Sequence, residues 1–120
     1  MSIASIVPIS AEGGTPFSPA LSDYATASEG WSETEFRFFA TERGSFGGYW
    51  RGEPGEVSFE AWPYNEICVI AKGRVAVVDR TGARREFGAG ESFFIPKGFV
   101  GKWVTIEPTE KVFVALVEGA

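Results

Sequence analysis

The chain has 120 residues, is 44% hydrophobic and 15% aromatic, and carries 11 Lys and Arg against 16 Asp and Glu, one Cys and no His. A chain of this length makes one domain that buries roughly two-thirds of the surface its unfolded form exposes, and its apolar and ring content rules against a disordered chain. The net charge of −5, with no basic stripe, argues against a nucleic-acid partner. The lone Cys68 excludes an internal disulfide, and no apolar run approaches the ~18 to 20 residues of a membrane span.

The first ten residues, MSIASIVPIS, lack the positive start and long apolar stretch of a signal peptide, so a cytoplasmic protein is expected. Residues 8–34 are rich in Pro, Gly, Ser and Thr and read as an irregular arm pinned by Phe17, Leu21, Tyr24 and Trp31. The division expected is an arm over 1–33 packing on a barrel domain over 34–120. Strands are predicted at 34–40, 46–52, 56–62, 66–72, 74–80, 84–89, 91–96, 101–107 and 111–118, separated by short turn-forming stretches. Thr81-Gly82 suits a tight hairpin, and Arg80, Arg84 and Arg85 around it read as a solvated tip. Pro96 and Gly98 end a strand and turn the chain. No run of ten residues carries a helical period, so the expected class is all-β, a single antiparallel sandwich or barrel.

Three runs are apolar on both strand faces: 67–71, 75–78 and 112–117. Such strands need cover on both sides, which one barrel interior does not give. A second copy of the chain is the favoured cover, making a homodimer; the arm is the alternative. Cys68, inside the first run, is expected to be a buried inert thiol.

Glu66 followed by six residues and Gly73, then Gly90, five residues, Pro96-x-Gly98, form a spacing that resembles the two motifs of the cupin superfamily, an antiparallel jelly-roll barrel. The resemblance covers about residues 44–117. It implies histidines at positions held here by Glu60, Trp62 and Gly101, and an asparagine at Thr105. More narrowly, Trp50, Pro54-Gly55, Glu66, Pro96-x-Gly98-x-x-Gly101-x-Trp103 and Lys111 are similar to the ureidoglycine aminohydrolase-type cupins. That resemblance implies a manganese held by a Glu-x-His-x-x-x-His set and a later amide; Glu60 is kept, and Trp62 and Glu66 replace the histidines. Two carboxylates without imidazoles offer at most a weak, oxygen-only site for a hard cation, so no metal or other cofactor is expected. The commonest general base is gone too, and Cys68 has no base to activate it.

If 60 and 62 face inward as the motif implies, strand alternation sends Phe59 and Ala61 outward and brings Gly101, Trp103 and Thr105 inside. Trp62 and Trp103 then either wall a pocket or plug the barrel. Glu66, Glu60 and Tyr64 would be polar handles, with Tyr49 and Arg51 contributing from the preceding strand. If both glutamates share the pocket, repulsion raises one pKa. Lys72 and Lys102 are expected outside, and Lys111 beside an acid. Three functions fit: binding of a small polar or aromatic metabolite, the first expectation; an aminohydrolase- or isomerase-like enzyme for a small nitrogenous metabolite using Glu60 and Glu66; or a dimeric interaction scaffold with a plugged barrel.

Overall fold

The computed structural model describes residues 1–117 and is all-β. Its strands are β1 (Thr15–Phe17), β2 (Thr26–Ala27), β3 (Glu33–Ala40), β4 (Phe46–Gly52), β5 (Gly55–Phe59), β6 (Asn65–Asp79), β7 (Arg84–Gly88), β8 (Ser92–Ile95) and β9 (Gly101–Leu116). Two short 3-10 turns, Ile3–Ser5 and Leu21–Asp23, are the helical segments among the described residues. No helix among them is long and apolar enough to cross a membrane.

One antiparallel sheet curls through the order β1-β3-β4-β9-β5-β2, and β6 joins it by pairing with β9, β7 and β8. The long strands β6 and β9 run antiparallel along most of their length. The first half of β9 pairs with β5 and the second half with β4, so β9 links both walls of the barrel.

Each long strand was expected as two, broken at Lys72-Gly73 and at Glu107–Glu110. The structure keeps the chain extended and absorbs both breaks as register shifts between Ile70 and Val75. Gly73 makes this possible: its φ is +90°, and a Cβ there would lie 2.4 Å from the Pro108 carbonyl oxygen. Across from it, Thr109 Oγ1 accepts from Arg74 N and donates to the Glu107 carbonyl. Of the other predicted strands, 46–52 is present with those ends and the rest with shifted ends, and Glu118, the last residue of the final one, lies outside the described residues.

Ring and aliphatic side chains from both walls meet inside, among them Trp31, Trp50, Val57, Phe59, Ile70, Val75, Ile95, Trp103 and Phe113. Within the arm, Trp31 is buried and Tyr24 packs on this core, while Phe17 and Leu21 are exposed. The arm adds β1 to β3 and β2 to β5. It leaves the outer face of β6 and β8 open: Ile67 and Val69 are 40% exposed and Phe94 55%. Ile67 stands opposite both Phe94 and Val114, so the apolar patch is continuous across three strands. The hairpin tip forms as expected, with Asp79 Oδ1 accepting from Thr81 N, Thr81 Oγ1 and Ala83 N, and Arg80, Arg84 and Arg85 exposed.

Candidate functional site

The barrel is open rather than plugged. A cavity of about 370 Å³ lies between the two walls, edged by the arm and by the 60–64 loop. Its walls are rings, including Trp31, Trp50, Trp62, Trp103, Tyr24 and Tyr64.

Lys111 forms the floor. Strand parity puts Trp103, Thr105, Thr109, Lys111, Phe113 and Ala115 on one buried face of β9, so its long side chain is sent inward with the rings. Its ammonium donates to Glu66 Oε2 at 2.7 Å and lies 3.5 Å from Cys68 Sγ. The ring faces of Trp103, at 4.2 Å, and Trp50, at 4.9 Å, enclose it. A desolvated cation over an indole gains about 2 kcal/mol, which helps offset the cost of burial. Burial acts to lower the pKa of Lys111, while the charge and hydrogen bond of the Glu66 carboxylate act to raise it, and the net shift is upward. Burial holds the Cys68 thiol well above its ordinary value against the pull of Lys111. It stays a thiol and donates to Glu66 Oε2 at 2.9 Å. The cysteine is buried within the core cluster as expected, and its thiol also meets Glu66 and Lys111.

A second carboxylate lies on the β3 wall. Glu33 Oε1 accepts from Trp50 Nε1 at 2.7 Å, and Oε2 accepts from the Tyr24 hydroxyl. Burial raises the Glu33 pKa, while the Trp50 and Tyr24 hydrogen bonds and the more distant Lys111 charge lower it; the net shift is upward. Two residues on, buried Glu35 accepts from Arg37 Nε at 2.6 Å, and the Arg37 guanidinium rests on the Phe46 and Phe17 rings.

Trp62 is fixed by its backbone. Its N–H donates to the Phe99 carbonyl and its carbonyl accepts from Gly98 N, both at 2.8 Å, so the Pro96–Phe99 turn sets the mouth of the barrel. Its ring leans on Phe59 at 4.3 Å and faces Trp103 at 6.1 Å.

The cavity therefore brings together Trp62, Tyr64, Glu66 and Trp103 as expected. It does not include Glu60, Tyr49 or Arg51. β5 ends at Phe59, so the alternation expected through 62 stops there: Phe59 is buried and Glu60 is exposed. Glu60 and Glu66 do not share a pocket. On β4 the parity is the reverse of that expected, because Phe46 and Trp50 take the inner face. Tyr49 turns outward and donates to Glu110 Oε1 at 2.8 Å; burial and that bond push its pKa up to about 12. Arg51 is exposed, near Glu110, and donates to the Ala11 carbonyl of the arm. Sequence reasoning missed Glu33, Glu35, Arg37 and Trp50 as lining residues. The signal for the first three was their shared parity on one strand, hidden by the habit of placing apolar residues inside.

The manganese set implied by the aminohydrolase resemblance does not assemble. Glu60 points to solvent, Trp62 has no ligating atom, and Glu66 is engaged by an ammonium and a thiol. Among the described residues no three His, Cys, Asp or Glu side chains converge as a metal site.

The EutQ-like cupin domain matches residues 40–113 of the chain. No curated protein matches it. Among solved structures, the Clostridium difficile EutQ protein is 17% identical with a TM-score of 0.67, over 84% of this chain and 81% of that one. A protein of unknown function from Pseudomonas syringae, of the DUF861 family, is 19% identical with a TM-score of 0.70, over 93% of this chain and 45% of that one. A DUF861 protein from Thermotoga maritima is 27% identical with a TM-score of 0.54, over 58% of this chain and 78% of that one.

Proposed function

This chain belongs to the EutQ-like cupin family, and from that premise we propose that its barrel is a binding site for one small polar or aromatic molecule. The supporting observation is the 370 Å³ cavity itself, walled by rings and carrying a few polar groups, half-buried Glu33 and buried Glu66 and Lys111 among them. That combination is the usual build of a small-molecule site: apolar surface supplies affinity and the polar groups fix orientation. A screen of amino acids, ureides, sugars, organic acids and amines by thermal shift tests it. A ligand at 100 times its Kd stabilises the folded state by about 2.7 kcal/mol, a shift of several degrees for a domain of this size. No shift from any class, with unchanged tryptophan fluorescence, would contradict the reading.

Aminohydrolase- or isomerase-like chemistry through Glu60 and Glu66 gains no support from the geometry, since one carboxylate is outside the cavity and the other is committed to Lys111. The plugged scaffold loses its motive once Trp62 and Trp103 line open space. A homodimer is kept as a proposal on a separate observation, the open apolar patch of Ile67, Val69 and Phe94. The expected mass in sedimentation is that of two chains for the wild type and of one for Phe94→Glu. A wild-type protein that sediments as one chain at micromolar concentration would remove the proposal.

A further inference from the structure

Charge in the cavity is unbalanced. Its lining includes four acids, Asp23, Glu33, Glu35 and Glu66, and two bases, Arg37 and Lys111. Both bases are already committed: Lys111 to Glu66 at 2.7 Å and Arg37 to Glu35 at 2.6 Å. Glu33 has only neutral donors, Tyr24 and Trp50, among the described residues. A partly buried carboxylate without a counter-ion is a standing cost that a ligand of opposite charge can relieve.

Two further observations narrow the ligand. Tyr24, bonded to Glu33, stands edge to face with Trp31 at 86°, and these two rings are left for a ligand because the Trp50 and Trp103 faces already hold the Lys111 ammonium. Such walls favour a positive group and an apolar body together. Trp31 and Trp62 line the same cavity, and among the described residues neither indole N–H has an acceptor, so the body of the ligand is expected to offer an acceptor atom as well. An anion fares poorly here, because the two cations that would receive it would first have to release Glu66 and Glu35.

We propose that the cavity selects a small organic cation, an amine or amidine on a flat or apolar body, with Glu33 as its counter-ion beside the Tyr24 and Trp31 rings. This rests on the reading of the cavity as a ligand site and adds the charge class of the ligand. The Glu66–Lys111 pair then acts as a fixed floor, and Glu33 as the group that meets the ligand.

Three probes of one shape and different charge make the test: benzylammonium, benzyl alcohol and benzoate, titrated at neutral pH. Binding is followed through the tryptophan indole N–H resonances, which report millimolar as well as tighter affinities. The expected order is benzylammonium first, by about tenfold or more over benzyl alcohol, with benzoate weakest. In Glu33→Gln the preference for the cation over the alcohol collapses to within about threefold while the alcohol itself still binds. Should the alcohol or benzoate bind as tightly as the cation to the wild type, the charge assignment fails and the ligand site stands. Should none of the three shift any indole resonance, both fail. Cation preference that survives intact in a folded Glu33→Gln protein would remove Glu33 from the role.

Discussion

Glu66 on β6 and Glu33 on β3 line the same cavity, but their partners differ in kind. Glu66 shares its Oε2 with an ammonium and a thiol, while Glu33 accepts from a phenol and an indole. At the floor, negative charge is cancelled inside the protein, and two indoles close over the cation that cancels it. On the wall, negative charge is hydrogen-bonded but not cancelled, and burial pushes the carboxyl toward its neutral form. Two chemically identical groups thus come to serve different ends. The first ties β6 to β9; the second is, in our proposal, the group that meets a ligand.

The sharpest way to break this contrast is at the floor. Lys111→Met leaves Glu66 buried without a cation, and stability measured by urea unfolding is expected to fall by about 3–5 kcal/mol. The double variant Lys111→Met, Glu66→Leu removes both charges together and should recover most of that loss, because an apolar replacement of a buried pair is often close to neutral. Equal losses in the single and double variants would show that the pair contributes packing rather than charge.

On the wall the effect is expected to be smaller. Glu33→Gln keeps a carbonyl oxygen for Trp50 Nε1, and its amide can donate to the Tyr24 oxygen. Stability at neutral pH should change by less than about 1 kcal/mol, and a gain is the favoured direction because a half-buried charge without a counter-ion is removed. A loss as large as that of Lys111→Met would erase the distinction between the two carboxylates.

The smallest effect is in the pH dependence of that difference. Glu33 has its folded pKa above its unfolded value, so the folded state holds more protons between the two, and stability contributed by this group rises as pH falls through that window. Lowering the pH from neutral therefore favours the wild type, and the gap between it and Glu33→Gln should shift toward the wild type. A gap that does not move with pH would mean that Glu33 titrates as an ordinary exposed glutamate.

Much of this architecture could be read in advance. Glycine and proline spacing from Gly73 to Gly98 is enough to place the barrel, because the bulge and the turn at Pro96 need those residues for backbone reasons. Trp103 and Thr105 were legible from strand parity, and the same odd-numbered face leads on to Lys111. What hid the floor was the long reach of β9: reading Pro108-Thr109 as a turn broke the count that carries Lys111 inside. Glu60 failed for a local reason, since alternation holds only while the chain is a strand, and β5 stops one residue earlier. Glu33 was hidden by a deeper one. A carboxylate facing a cavity is paid for by partners from the arm and from β4, namely Tyr24 and Trp50, and such partners are not neighbours in the sequence.

All of this depends on a charged lysine inside the barrel, and that can be observed directly. Heteronuclear NMR of the lysine side chains, followed as pH is raised, should show Lys111 keeping its ammonium signal above the range in which a lysine side chain ordinarily loses its proton. A Lys111 that loses its proton within that ordinary range, or below it, would contradict the account.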